Sequence, residues 1–444
     1  MLILPRVAVG PMDAGVRGKP AGWSEPMSWA LMELLARHGC QVQHFHSHAT
    51  FLPYHAALSI TGLGSRHLDT WLMSKDVCRE LFVHGATATD LALVEGRFES
   101  PNFDKLCDWL DLPRLIVVDA SRCAGCSLPE RPDQIDGLLL DHVGSAADVF
   151  RLQTTLESLW NVPVFGALTE LPMARAALAS LPTGSVPPRE LLRPLGDEMA
   201  RYFRPDRLMS LAGRRGFRRV RPALFRTPPT GSEQPEPLTV AVAFDKVFNC
   251  YFPDTLDLLE MLGAKVVDFS PLRDEVLPEC DVVYLGCGHP ERAADALTGN
   301  HCMLLAIRNH VRSGGRVYAE GGGLAYLCEH IVTPENRKVA MVGVLPAVAR
   351  FSPQSQPPMP VEVTLSKGTW LGHAGTRLRG YRNLNWQIEP VGALKSCLTE
   401  VEYEYDLVGR YQVLASRIHL NFAAQREMLW SFFEPRLAEL TLSV

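Results

Sequence analysis

A chain of 444 residues is long enough for two or three domains, and 47% hydrophobic with 21% charged residues is an ordinary globular composition. The formal net charge of −5 argues against general nucleic-acid binding, which favours a basic face, and no apolar run reaches the ~20 residues of a membrane span. Eleven cysteines, an odd number without regular spacing, do not read as a disulfide scaffold, so a reducing, cytoplasmic location is expected. The opening "MLILPRVAVG" lacks a basic n-region and a long apolar core, and reads as a first buried strand rather than a secretory leader.

In chain order, "ILPRVAVG" predicts a strand and "SEPMSWALMELLARHG" a helix, which Gly39 ends as a C′ glycine. "CQVQHFH" alternates like a strand, and "DLALVEG", "PRLIVVDA", "IDGLLLDHV" and "VPVFGAL" are further short apolar runs bounded by turns. Such runs, interleaved with helical stretches, predict a parallel sheet covered on both faces. The close pair Cys123 and Cys126 lacks the further ligands of a zinc site and reads as loop thiols. The basic run "AGRRGFRRVRP", 212–222, reads as a solvated helix end or linker. A Pro- and Gly-rich linker at 226–237 separates a first domain, 1–225, from a second, 238–444.

After the linker the pattern restarts. "LTVAVAF" is a strand, "PDTLDLLEMLG" a helix, and "AKVVDFSP" and "CDVVYLGCG" are strands. "YAEGGGLAYL", 318–327, predicts a buried strand, a sharp glycine turn and a helix start, the kind of turn that presents a nucleophile. The residues at the turn are Glu320, Gly321, Gly322 and Gly323, and a glycine attacks nothing.

"SRHLDTWLM", "DLALVEG", "VPVFGAL", "FSPLRDEVLPECDVVYLGCGHPE", "YAEGGGLAYL", "MVGVLP", "GHAGTRLRGY" and "LASRIHLNF" together span nearly the whole length. In these segments the chain resembles the cobyrinic acid a,c-diamide synthases, which amidate carboxylates of a corrin or related tetrapyrrole. The resemblance implies an α/β protein: a P-loop-like, dethiobiotin-synthetase-like ATP-using domain, then a flavodoxin-like class I glutamine amidotransferase domain. It implies a nucleophilic cysteine at position 321, which is Gly321 here, and an activating histidine at His419. Cys287, in the loop that resembles the oxyanion loop and should face Gly321, is a conceivable relocated nucleophile.

The resemblance also implies an ATP site, and that site is altered. In "GPMDAGVRGKPAGW", Gly15, Gly18 and Lys19 remain, Pro20 replaces the hydroxyl residue that binds magnesium, and Asp13 puts a negative charge near the phosphates. Mg-ATP is therefore expected to bind poorly. Glu95 and Asp119, at strand ends, stand where metal-binding carboxylates or simple strand-end solvation are equally expected. In "HFHSHATFLP", Thr50 falls where the family has an aspartate. His44, His46 and His48 share one strand face, so they are candidates to hold zinc or the metal of a metallotetrapyrrole. The first expectation for function is a non-catalytic homologue that binds a tetrapyrrole, in a crevice between the domains, or a partner subunit, as a homo- or hetero-oligomer. The alternatives are an ammonia-using, ATP-dependent amidoligase and a metal-dependent enzyme at the histidine cluster.

Overall fold

Seven short runs in the first half pair edge to edge, and all but the two-residue Arg66–His67 are apolar enough to be covered on both sides. They are β1 (Arg6–Pro11), β2 (Val42–His46), β3 (Arg66–His67), β4 (Leu91–Glu95), β5 (Arg114–Asp119), β6 (Gly137–Val143) and β7 (Val164–Thr169). Their order is β3-β2-β4-β1-β5-β6-β7, with every neighbouring pair parallel. β2 and β4 are buried at every position, as strands covered on both faces must be. The predicted helix is Glu25–Arg37, and Gly39 follows it at φ 77°, which a residue without Cβ adopts freely.

The structure is a computed structural model. It describes residues 3–11, 25–47, 55–98, 100–123, 130–181, 185–218, 220–225, 238–352, 358–403, 405–410, 412–425, 428–429 and 432. The phosphate-loop segment with Asp13, Gly15, Gly18, Lys19 and Pro20 lies outside these residues, as do His48, Thr50, Cys126 and the 226–237 segment. The chain divides into two compact units, the first reaching Pro222 and the second running from Ala223.

The basic run at 212–222 is not wholly solvated, contrary to its sequence reading. Phe217 is buried against Phe82, with the Arg6 and Arg79 guanidinium groups 5.0 and 4.4 Å from its ring centre. Arg215 pairs with Asp111 and Asp136 at 3.2 and 2.7 Å, and its carbonyl accepts from the buried Arg6 at 2.8 Å. Charge density in the sequence concealed one aromatic anchor and the acidic partners supplied by distant loops.

The second unit contains β8 (Thr239–Ala243), β9 (Phe248–Cys250), β10 (Lys265–Phe269), β11 (Val282–Leu285), β12 (Cys287–Gly288) and β13 (Arg316–Glu320). β10, β8, β11, β13 and the strand Val413–Ser416 lie side by side and parallel, and two antiparallel strands extend the edge. Counted along the chain, the five parallel strands stand in the order 2-1-3-4-5, the flavodoxin-like arrangement. The expected single strand "CDVVYLGCG" breaks at Gly286, whose amide donates to the Tyr251 hydroxyl at 2.9 Å. A Cβ at Gly286 would stand 2.4 Å from the Tyr251 ring, so glycine lets the chain turn out of the main sheet there. β12 then pairs antiparallel with β9. Among the described residues, no helix is long and apolar enough to cross a membrane.

Candidate functional site

β13 ends at Glu320, and the six-residue helix Gly322–Leu327 begins two residues later. Gly321, between them, has φ 52° and ψ −110°, a conformation that strains any residue with a Cβ. Its amide donates to the Ser416 carbonyl at 2.8 Å, which pins the turn to the neighbouring strand. Gly322 and Gly323 are needed for a different reason. A Cβ on either would stand 2.3 Å from a carbonyl oxygen, that of Gly288 or Leu285 respectively. The three glycines therefore let the 285–288 segment press against the turn, and the Cys287 Sγ comes to 3.0 Å from the place where a Cβ on Gly321 would be. The loop faces the turn, as its sequence suggested, and its thiol fills the space a side chain at 321 would enter.

Beneath the turn, Glu320 is fully buried and gathers donors. Its Oε1 accepts from the Tyr318 hydroxyl at 2.5 Å and the Leu420 amide at 2.9 Å, and its Oε2 lies 3.4 Å from the Tyr284 hydroxyl. The same Oε2 takes the His419 Nδ1. His419 comes from the strand Ile418–Leu420, and its ring is stacked on Phe252 with centroids 4.2 Å apart and planes 14° apart. Burial alone would lower the His419 pKa, but the Glu320 charge and Cys250 outweigh it and raise it to about 10.

Cys250 is the residue the sequence did not single out. It lies directly opposite Cys287 in the β9–β12 pair, and its thiol is hydrogen-bonded to Cys287 and to His419. The Cys287 hydrogen bond, aided by His419, overcomes burial and pulls Cys250 down to about 6. Burial, with Cys250 next, pushes Cys287 well above an ordinary thiol. The arrangement favours the thiolate at Cys250 and the protonated forms of Cys287 and His419 around it. Cys250, Cys287, Glu320 and His419 are all at most 4% exposed. Ligand-capable atoms of Cys287, Glu320 and His419 lie within 4.8 Å of one another. No sequence signal pointed to Cys250, because 37 residues and a strand register separate it from Cys287.

In the first unit, His44 and His46 do share a face, with ring centroids 4.8 Å apart. The ring nitrogens of His44 are both engaged, Nδ1 with Ser65 Oγ at 2.9 Å and Nε2 with Glu95 Oε2 at 3.0 Å. Both ring nitrogens of His44 thus have protein partners, one of them Glu95. A strand partner of His46 that sequence reasoning passed over is His67, its registered neighbour on β3. Asp119 accepts from the Ser121 amide and hydroxyl at 3.0 and 2.6 Å, capping a short turn at the end of β5. Cys123 is buried beside it.

Residues 239–426 match the family of CobB/CobQ-like glutamine amidotransferase domains. The cobyrinate a,c-diamide synthase of Methanosarcina acetivorans is 28% identical, over 97% of this chain and 95% of that protein. That of Caldanaerobacter subterraneus is 29% identical over 83% and 86%, and that of Salmonella typhimurium 28% identical over 90% and 92%.

Proposed function

The chain belongs to the cobyrinate a,c-diamide synthase family, and from that premise we propose that it is a non-catalytic member that binds a tetrapyrrole without hydrolysing glutamine. The observation that carries this reading is Gly321. The turn, the buried glutamate and the histidine of a nucleophile site are present, while the turn carries no side chain and Cys287 occupies the adjoining space. Covalent glutaminase chemistry needs a thiolate at the turn, exposed to the amide carbon and in line with it. Neither Cys250 nor Cys287 meets that requirement, since both are buried beneath the turn.

The relatives' name supplies the ligand class, a corrin-type carboxylate. Binding such a ligand needs only an apolar cleft with a few polar anchors, which outlasts the loss of a catalytic group. Asp13 and Pro20 in the phosphate-loop segment further favour binding over ATP-driven amidation. Each should weaken Mg-ATP by about 1–3 kcal/mol, through a missing magnesium ligand and an added like charge.

Titration of the full chain with cobyrinate-type corrinoids, sirohaem-type compounds and haem, followed by absorption, tests the proposal. At least one metallotetrapyrrole is expected to give a saturable spectral change. If none binds better than to an unrelated protein, the ligand reading is wrong. ATP turnover in the presence of ammonia and a tetrapyrrole carboxylate would show the chain to be a ligase instead.

A further inference from the structure

We propose that Cys250, Cys287 and His419 form a binding site for a thiophilic d10 metal ion, Zn2+ or Cu+, beneath the emptied glycine turn. Three elements distant in sequence deliver the donors. β9 and β12 place the two cysteines directly opposite each other, and the strand Ile418–Leu420 brings in the imidazole. Glu320 holds His419 Nδ1, so Nε2 is the nitrogen available on the other side of the ring, and ligand atoms of His419 and Cys287 lie within 4.8 Å of each other. A carboxylate behind the far nitrogen is the arrangement that fixes the tautomer and orientation of metal-binding histidines. Phe252 fixes the ring plane from one side. Glu320 itself is already occupied by Tyr318, the Leu420 amide and His419, so it acts behind the ligands rather than among them.

The donor set selects the ion. Two thiolates and an imidazole suit zinc or cuprous copper and disfavour magnesium or calcium, which want oxygen ligands. Two thiolates also balance the charge of Zn2+ while the imidazole is neutral. Cysteine and histidine bind such an ion only when deprotonated, so affinity should rise with pH. The plainer reading, in which buried cysteines act as small apolar side chains, fits Cys328. Its thiol donates to the Leu324 carbonyl at 3.4 Å within its own chain turn, and burial raises its pKa. It does not fit Cys250, which lies directly opposite a second cysteine whose sulfur is within 4.8 Å of a His419 ring nitrogen. The inference goes beyond the proposed function and stands whether or not a tetrapyrrole binds.

The test uses the full chain, purified with reductant and stripped by a chelator. Zn2+ is titrated against a chromogenic chelator, and Cu+ against a cuprous chelator without oxygen; the two titrations distinguish the ions. About one equivalent of one ion is expected to bind. Affinity should fall at least tenfold in Cys250→Ser and in Cys287→Ser, and about 10–100-fold in Glu320→Gln, which acts through His419. Cys302→Ser, at an exposed thiol, should change nothing. X-ray absorption of the unsubstituted, metal-loaded chain should show two sulfur ligands and a nitrogen, a readout that does not depend on any variant folding. Failure to bind either ion, an oxygen-only shell, or uptake unchanged in Cys250→Ser/Cys287→Ser would overturn the site. So would a Cys250–Cys287 disulfide whose reduction yields no metal uptake. Glutamate release, measured separately on the same sample, bears on the proposed function alone.

Discussion

Each unit buries a histidine against a glutamate at the end of a parallel strand, and the two pairs differ in what meets the second nitrogen. His44 gives one nitrogen to Glu95 and the other to the Ser65 hydroxyl. His419 gives one to Glu320 and the other to Cys250, with Cys287 alongside. A hydroxyl closes the imidazole into a hydrogen-bond network. A thiol can give up its proton, which is the difference on which the proposed metal site rests. The same pair of residue types is structural in one setting and chemically poised in the other.

Glu320→Gln should break this contrast most severely. It removes a buried charge on which Tyr318, His419 and the Leu420 amide converge. Loss of one partner of such a pair costs about 3–5 kcal/mol. Urea unfolding measures it, and a loss below about 1 kcal/mol would mean that Glu320 does not organise the site.

Gly321→Ala comes next. Strain at positive φ costs about 1–3 kcal/mol, and crowding against Cys287 adds a comparable amount. Cys287→Ala in the same chain should recover the crowding part but not the strain. A double variant no more stable than the single one would show that Cys287 does not fill the emptied space.

In the first unit, His44→Gln should cost about 1–3 kcal/mol, the penalty for unsatisfied buried partners. It should leave metal stoichiometry unchanged. Loss of metal in this variant would move the site to the first unit and reverse the comparison.

The smallest effect is a pH dependence. In metal-free Cys250→Ser protein, Glu320 should still raise the His419 pKa, so His419 binds its proton more tightly folded than unfolded. Its stabilising contribution is then full below the ordinary value of 6.5 and fades as pH rises through the raised folded value. The stability difference between Cys250→Ser and Cys250→Ser/His419→Gln should shrink over that window. A difference that grew with pH would mean that His419 is buried neutral.

The two sheets were legible in the sequence because their strands are continuous apolar runs between turn residues. The glycine turn was legible because strand, triple glycine and helix follow one another locally. What remained hidden depends on register and distant pairing. Cys250 acquires meaning only when β9 lies against β12, and the break at Gly286 only when the Tyr251 ring arrives beside it. The pairing of Glu95 with His44 follows from β2 lying beside β4. Phe217 was masked by the arginines around it, whose partners come from loops about 80 to 105 residues earlier.

The most direct test of the account is glutamate release when the purified full chain is incubated with glutamine. The account predicts release no greater than from heat-inactivated protein, because Gly321 presents no nucleophile. Release above that level, abolished by Cys250→Ser or Cys287→Ser, would contradict it by showing that a thiol beneath the turn has taken over the attack.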